Sequence, residues 1–225
     1  MYIQESTTLP AIIGYFEKNS DDIDYFIETS KQIGPYYRFA LITDATLLQE
    51  LKYTGTNIYV HRPTHGLNTK IDKPKSRYPS KVINQKSLLK FIYDKSLHTI
   101  GEKNNDNNIL YSNINTPILN IYTDINRDKN EKGYQYILTR LNKIHTIYKN
   151  QFYYTIITNK SQNEPEISDY QFPLNLSQKK DAILVGISTQ ELVYTMNTPF
   201  SVDNIVSFIE QYKAGSIVGL EKVPP

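Results

Sequence analysis

Apolar residues recur along this chain at two spacings, alternating and helical, and the two take turns in a regular order. Leu9 to Phe16 is a compact apolar run that predicts a buried strand. Asp21 to Ile33 then places Ile23, Phe26 and Ile27 at helical spacing, and Gly34-Pro35 stops the helix. Tyr37 to Thr43 predicts a second strand, Asp44 caps a short helix over Ala45 to Lys52, and Asn57 to Arg62 predicts a third strand. A fourth is expected within Gly66 to Asp72, before a basic loop over Lys73 to Lys81 and a helix over Val82 to Ser96.

The order then repeats. Pro117 to Tyr122 is a strand, and Glu131 to Tyr148 a helix whose inner side carries Tyr134, Ile137, Leu138, Leu141, Ile144, His145 and Tyr148. Phe152 to Thr158 is a strand, Glu166 to Tyr170 a short helix, and Ala182 to Ser188 and Leu192 to Thr195 are strands. A capped helix over Ser201 to Gly215 closes the series. Phe208-Ile209 in this helix matches Phe91-Ile92, 117 residues earlier. That period is the size of a domain, not of a solenoid repeat. The polar run Asn104 to Asn108 reads as a linker, so the expected domains are 1–108 and 109–225. A strand–helix–strand opening followed by two closely joined strands predicts a mixed sheet flanked by helices in each half, an α/β fold in tandem. No room remains before Leu9 for a further strand and helix, which suggests that the first domain is truncated there.

Composition narrows the chemistry. The chain has 225 residues, a formal net charge of +2 and no cysteine. Without cysteine, thiol–disulfide exchange and cysteine-ligated metals are excluded, whatever the fold. The charge gives no basic footprint for nucleic acid, and no apolar run is long enough to span a bilayer. No phosphate-cradling glycine loop and no serine–histidine–aspartate order stands out, and no cofactor is expected.

The tandem resembles the two non-catalytic thioredoxin-like modules, b and b′, of the protein disulfide isomerases. The resemblance rests on Ile12 to Phe16 with the acidic helix after it, on Leu97 through Ile109 to Leu119 at the junction, and on the Ser201 to Pro225 ending. It covers nearly the whole chain. Catalytic modules of that family carry Cys-x-x-Cys at the start of the first long helix. The corresponding positions here are Asp21-Asp22 and Lys129-Asn130-Glu131. The resemblance implies a location in the endoplasmic reticulum lumen and a second domain that binds unfolded or partly folded polypeptide. The apolar pocket that does so in the family falls on Asn120, Tyr122, Leu141 and Thr155. Two of these four are polar, a departure from the pattern. Relatives that dock a lectin chaperone use a charged b′ surface, and Arg140, Lys143 and Lys149 are the candidates for one.

Blander readings stand beside these. Stripes such as Tyr134, Leu141 and Tyr148 usually pack a core. His61 and His65 with Asp72 lack a placed set of metal ligands, and Asp21, Asp22 and Asp24 read better as a helix N-terminal cluster than as a calcium loop. Lys70, Lys73, Lys75, Arg77 and Lys81 read as a solvated loop, or alternatively as a docking patch. Asn159-Lys-Ser161 and Asn175-Leu-Ser177 fit glycosylation sequons, which an Asn-rich chain produces by chance. The sequence thus leads to a non-catalytic region, monomeric or weakly dimeric, that holds polypeptide for redox-active flanking modules. The alternative is a structural or dimerisation module without client binding.

Overall fold

A computed structural model of the protein describes residues 9–80, 82–158, 172 and 182–222. The expected helix at Glu166 to Tyr170 and both sequons lie outside the described residues. The chain forms two compact units.

The first unit has a sheet of order β2-β1-β3-β4, from β1 (Ala11–Tyr15), β2 (Arg38–Ile42), β3 (Asn57–His61) and β4 (Lys75–Arg77). β1 and β2 are parallel and joined through α1 (Asp22–Ile33), while β3 and β4 run antiparallel to their neighbours. A short helix, α2 (Ala45–Glu50), starts at Asp44, whose side chain accepts the Leu47 N–H, as the capping rule requires. Phe16, Phe26, Leu88 and Ile92 are buried, with the Phe16 and Phe26 rings 5.3 Å apart. Gly14 makes room for these rings, since a Cβ there would lie 2.4 Å from Phe16 and 2.9 Å from Phe26.

The fourth strand is not within Gly66 to Asp72. That segment folds into turns instead: the Asn68 carbonyl accepts the Ile71 and Asp72 N–H groups, and the Asn68 side chain accepts that of Lys70. A short amide that competes with strand pairing for its own backbone overrides the apolar residues nearby. Pairing resumes in the basic stretch, at Lys75. Beneath it, Arg62 and Asp72 form a buried pair at 3.6 Å. The Arg62 guanidinium also donates to the carbonyls of Leu97 and Lys73, and His98 meets the Pro63 carbonyl at 2.8 Å. Burial holds the His98 pKa below its usual value. Asp72 therefore anchors the loop through Arg62.

The second unit has a sheet of order β10-β9-β8-β6-β7-β5. Its strands are β5 (Ile100–Glu102), β6 (Ile118–Tyr122), β7 (Tyr153–Ile157), β8 (Leu184–Ser188), β9 (Leu192–Thr195) and β10 (Leu220–Glu221). The run β7-β6-β8-β9 repeats the order and the parallel and antiparallel senses of β2-β1-β3-β4. α5 (Glu131–Ile147) is the crossover between the parallel strands β6 and β7.

The helices α3 (Gln85–Ser96) and α6 (Val202–Lys213) end the two units, and their repetition is close. Asn84 caps Ser87 and Ser201 caps Asn204; Leu88, Phe91 and Ile92 are buried in one, Ile205, Phe208 and Ile209 in the other.

The division between units differs from 1–108 and 109–225. Thr99–Asn104 joins the second unit, where β5 pairs with β7, while Asn105–Ile114, including α4 (Asn108–Ser112), groups with the first. β5 has three residues, too few to show alternation, so the Asn-rich run after it reads as the boundary. Among the described residues β2 is an edge strand, whereas its counterpart β7 is covered by β5.

Candidate functional site

β6 is buried along its whole length, and its side chains alternate between the faces of the second sheet. Ile118, Asn120 and Tyr122 share one face; Leu119 and Ile121 share the other. In register, Asn120 stands beside Thr155 of β7 and Gly186 of β8. The Thr155 hydroxyl donates to Asn120 Oδ1 at 2.7 Å, and Asn120 Nδ2 donates to the Ser188 hydroxyl at 2.9 Å. Tyr122 packs on the same face with Ile157, Phe172 and Leu184, its ring 5.4 Å from that of Phe172. Phe172 also lies over Gly186, 3.4 Å from where a Cβ would stand.

Leu141 is elsewhere. α5 covers the opposite face, where the His145 ring meets that of Tyr154 edge-on at 5.9 Å. Leu141 precedes His145 by one turn of the same helix and is fully buried. The structure therefore brings Asn120, Tyr122 and Thr155 together on one side of the sheet and places Leu141 on the other. All four are buried, and the polar ones satisfy each other. A row of buried amide and hydroxyl groups that is internally paired fixes sheet register. Asn120→Leu is expected to cost about 2–4 kcal/mol, because it strands the Thr155 and Ser188 hydroxyls. Thr155→Val in the same background is expected to recover part of that loss in urea unfolding; additive losses would contradict the pairing.

The exposed side of α5 has a different character. Tyr136, Arg140, Lys143 and Ile147 follow one another at helical spacing, so they share a face. Tyr136 and Ile147 are large and apolar, yet 44% and 54% exposed. The Arg140 guanidinium sits 3.2 Å over the Tyr136 ring, and the Tyr136 ring lies 6.0 Å from that of Phe200. Among the described residues neither Arg140 nor Lys143 pairs with a carboxylate. Lys149 follows the C-cap Tyr148 and is exposed in the turn beyond the helix. The Tyr148 hydroxyl donates to Glu210 at 2.7 Å, tying α5 to α6, and its pKa is pushed up to about 12 by burial and by that carboxylate. Sequence reasoning selected Arg140 and Lys143 and passed over Tyr136, Ile147 and Phe200. For Tyr136 and Ile147 the signal was available: apolar residues out of phase with the inner stripe of the helix.

Both sheets therefore follow one plan: a parallel pair joined by a long crossover helix, two antiparallel strands, and a closing helix. That plan defines a thioredoxin-like protein. A family model described as thioredoxin-like domain matches residues 16–213, and the chain belongs to that family. Protein disulfide-isomerase A3 of Gallus gallus is 25% identical over 132 residues, 58% of this chain and 26% of that protein. Among solved structures, the bb fragment of ERp72 matches with a TM-score of 0.69 at 13% identity, covering 93% of this chain and 90% of that one. Human ERp44 matches with a TM-score of 0.54 at 17% identity, over 92% of this chain and 57% of that one. The fold is that of the tandem thioredoxin-like modules in those structures, and in sequence the chain is similar to part of a protein disulfide isomerase. The chain spans about a quarter of the isomerase relative's length. Having no cysteine, it performs no thiol–disulfide exchange itself.

Proposed function

We propose that this chain is the polypeptide-holding, redox-inactive part of a disulfide-isomerase-like protein of the endoplasmic reticulum lumen, with α5 as the gripping element. The supporting observation is the outer stripe of that helix, where Tyr136 and Ile147 remain exposed around Arg140 and Lys143, which meet no carboxylate among the described residues. An unfolded or partly folded chain supplies both complements, apolar side chains for the first pair and carboxylates for the second. Exposed Tyr and Arg are the residue types that anchor such contacts. The buried quartet Asn120, Tyr122, Leu141 and Thr155 then acts as the support beneath, not as the pocket. A lectin chaperone's acidic surface is a second occupant of the same kind.

A dimer through this stripe is disfavoured on charge. A two-fold contact centred on α5 would set Arg140 and Lys143 against their own copies. Isothermal titration with a reduced, carboxymethylated unfolded protein tests the reading. Ile147→Glu together with Arg140→Gln is expected to weaken binding about tenfold or more, with the fold unchanged by circular dichroism. Unaltered affinity would remove α5 as the holding element.

A further inference from the structure

The first unit's sheet also has two faces. Ile12, Gly14, Ile58 and Val60 lie on one, where β3 meets α3. The other carries Ile13 and Tyr15 of β1, Tyr59 and His61 of β3, Ala40 and Ile42 of β2, and Lys75 and Arg77 of the edge strand β4. Pairing Tyr59 with Arg77 and His61 with Lys75 turns both cations of β4 onto this face. Lys75 and Arg77, within the basic stretch that reads as a solvated loop in sequence, thus stand on a strand, two residues apart on one face.

Those charges meet three tyrosines. The Tyr15, Tyr53 and Tyr59 rings form a triangle, with centroids 4.2, 5.9 and 5.7 Å apart. Lys75 Nζ donates to the Tyr53 hydroxyl at 3.2 Å and sits 3.8 Å over the Tyr59 ring. The cluster is rich in donors. Lysine brings three, each phenol brings one, and the only acceptors inside it are the phenol oxygens themselves. Among the described residues no carboxylate pairs with Lys75 or Arg77. Leu47 and Leu48 of α2 pack with Ile13, Tyr15 and Ile42, so the open part of this face is its β3–β4 side, where exposed Lys75 and Arg77 stand beside the partly buried Tyr53 and Tyr59.

We propose that this cluster is a carboxylate-binding site that takes a glutamate or aspartate side chain of an extended acidic polypeptide. The carboxylate accepts from Lys75, from a phenolic O–H and from Arg77, replacing the cation–π contact of Lys75 by a charge-assisted hydrogen bond. The half-buried Tyr59 ring receives the neighbouring backbone, which selects a peptide over a free anion. The site lies within the first unit and stands independently of the α5 reading.

The test is calorimetric titration of the whole chain with N-acetylated hexaglutamate, with hexaglutamine and with inorganic phosphate. Hexaglutamate is expected to bind, hexaglutamine not. Lys75→Gln combined with Arg77→Gln is expected to weaken hexaglutamate about tenfold or more, and Tyr53→Phe, which keeps the ring and removes its hydroxyl, by a few-fold. Both cations are exposed, so these variants keep the fold, and amide spectra verify it. The proposal is overturned if hexaglutamate does not bind, if these variants bind it undiminished, or if Arg140→Gln with Lys143→Gln removes the binding instead. Phosphate binding as tightly as the peptide overturns it too, by reducing the site to an anion site without peptide selection.

Discussion

Phe208→Ala is expected to remove about 3–5 kcal/mol from the stability of the second unit. Phe208 is 3% exposed and stands between Ile205 and Ile209 on the inner face of α6, so alanine leaves a cavity bounded by packed side chains. The surroundings relax only in part, and the cost is the lost burial plus the cavity. The repeat sharpens the expectation. Phe91 holds the same place in α3, buried between Leu88 and Ile92, with its ring 5.3 Å from that of Tyr78. Phe91→Ala is expected to cost a similar amount in the first unit. Amide exchange resolves the two: Phe208→Ala is expected to speed exchange in β8 and α6, Phe91→Ala in β3 and α3. A loss below about 1 kcal/mol at either position would mean that the 117-residue period in the sequence does not mark equivalent cores.

Asp72→Ala is expected to cost the first unit a comparable amount, about 3–5 kcal/mol, although Asp72 lies in a loop. The side chains of Arg62 and Asp72 are 7% and 5% exposed, and removing one partner leaves the other charged and without water. Arg62 keeps its bonds to the carbonyls of Leu97 and Lys73, which moderate the loss without neutralising the charge. Arg62→Met combined with Asp72→Leu is expected to recover most of it, since an apolar pair of similar volume carries no desolvation penalty. The recovery separates charge burial from packing. Urea unfolding of the three variants provides the measurement, and a double variant no better than Asp72→Ala would refute the account.

Much of this fold was legible because its elements are bounded by strong local signals. Asp44 and Ser201 cap helices where the chain says they should, Asn84 caps α3 two residues after its expected start at Val82, and Leu192–Thr195 is a strand over the expected residues. The misses share a cause. β4 and β5 have three residues each, and β4 reads Lys-Ser-Arg, so neither carries a pattern of its own. Their pairing is imposed by β3 and β7, a tertiary effect that periodicity cannot see.

The site was legible differently. Tyr122 and Asn120 lie on the same face because they are two residues apart on one strand, and Thr155 joins them through register. Leu141 was grouped with them by resemblance, but a buried position on α5 belongs to the far side of the sheet. The outer stripe of α5 was readable only in part, because the charges were noticed and the out-of-phase Tyr136 and Ile147 were not. In the first unit, the tyrosine cluster joins residues 15, 53, 59 and 75, which no linear motif connects.

The account turns on whether the second unit holds polypeptide on the outside of α5 and not within its sheet. Residue-resolved amide shifts during titration with the carboxymethylated unfolded protein decide this. The expected result is a contiguous set of shifts at Tyr136, Arg140, Lys143, Ile147 and Phe200, with Asn120 and Thr155 unmoved. Shifts centred on Asn120 and Thr155, or none in the second unit at millimolar concentrations, would contradict it.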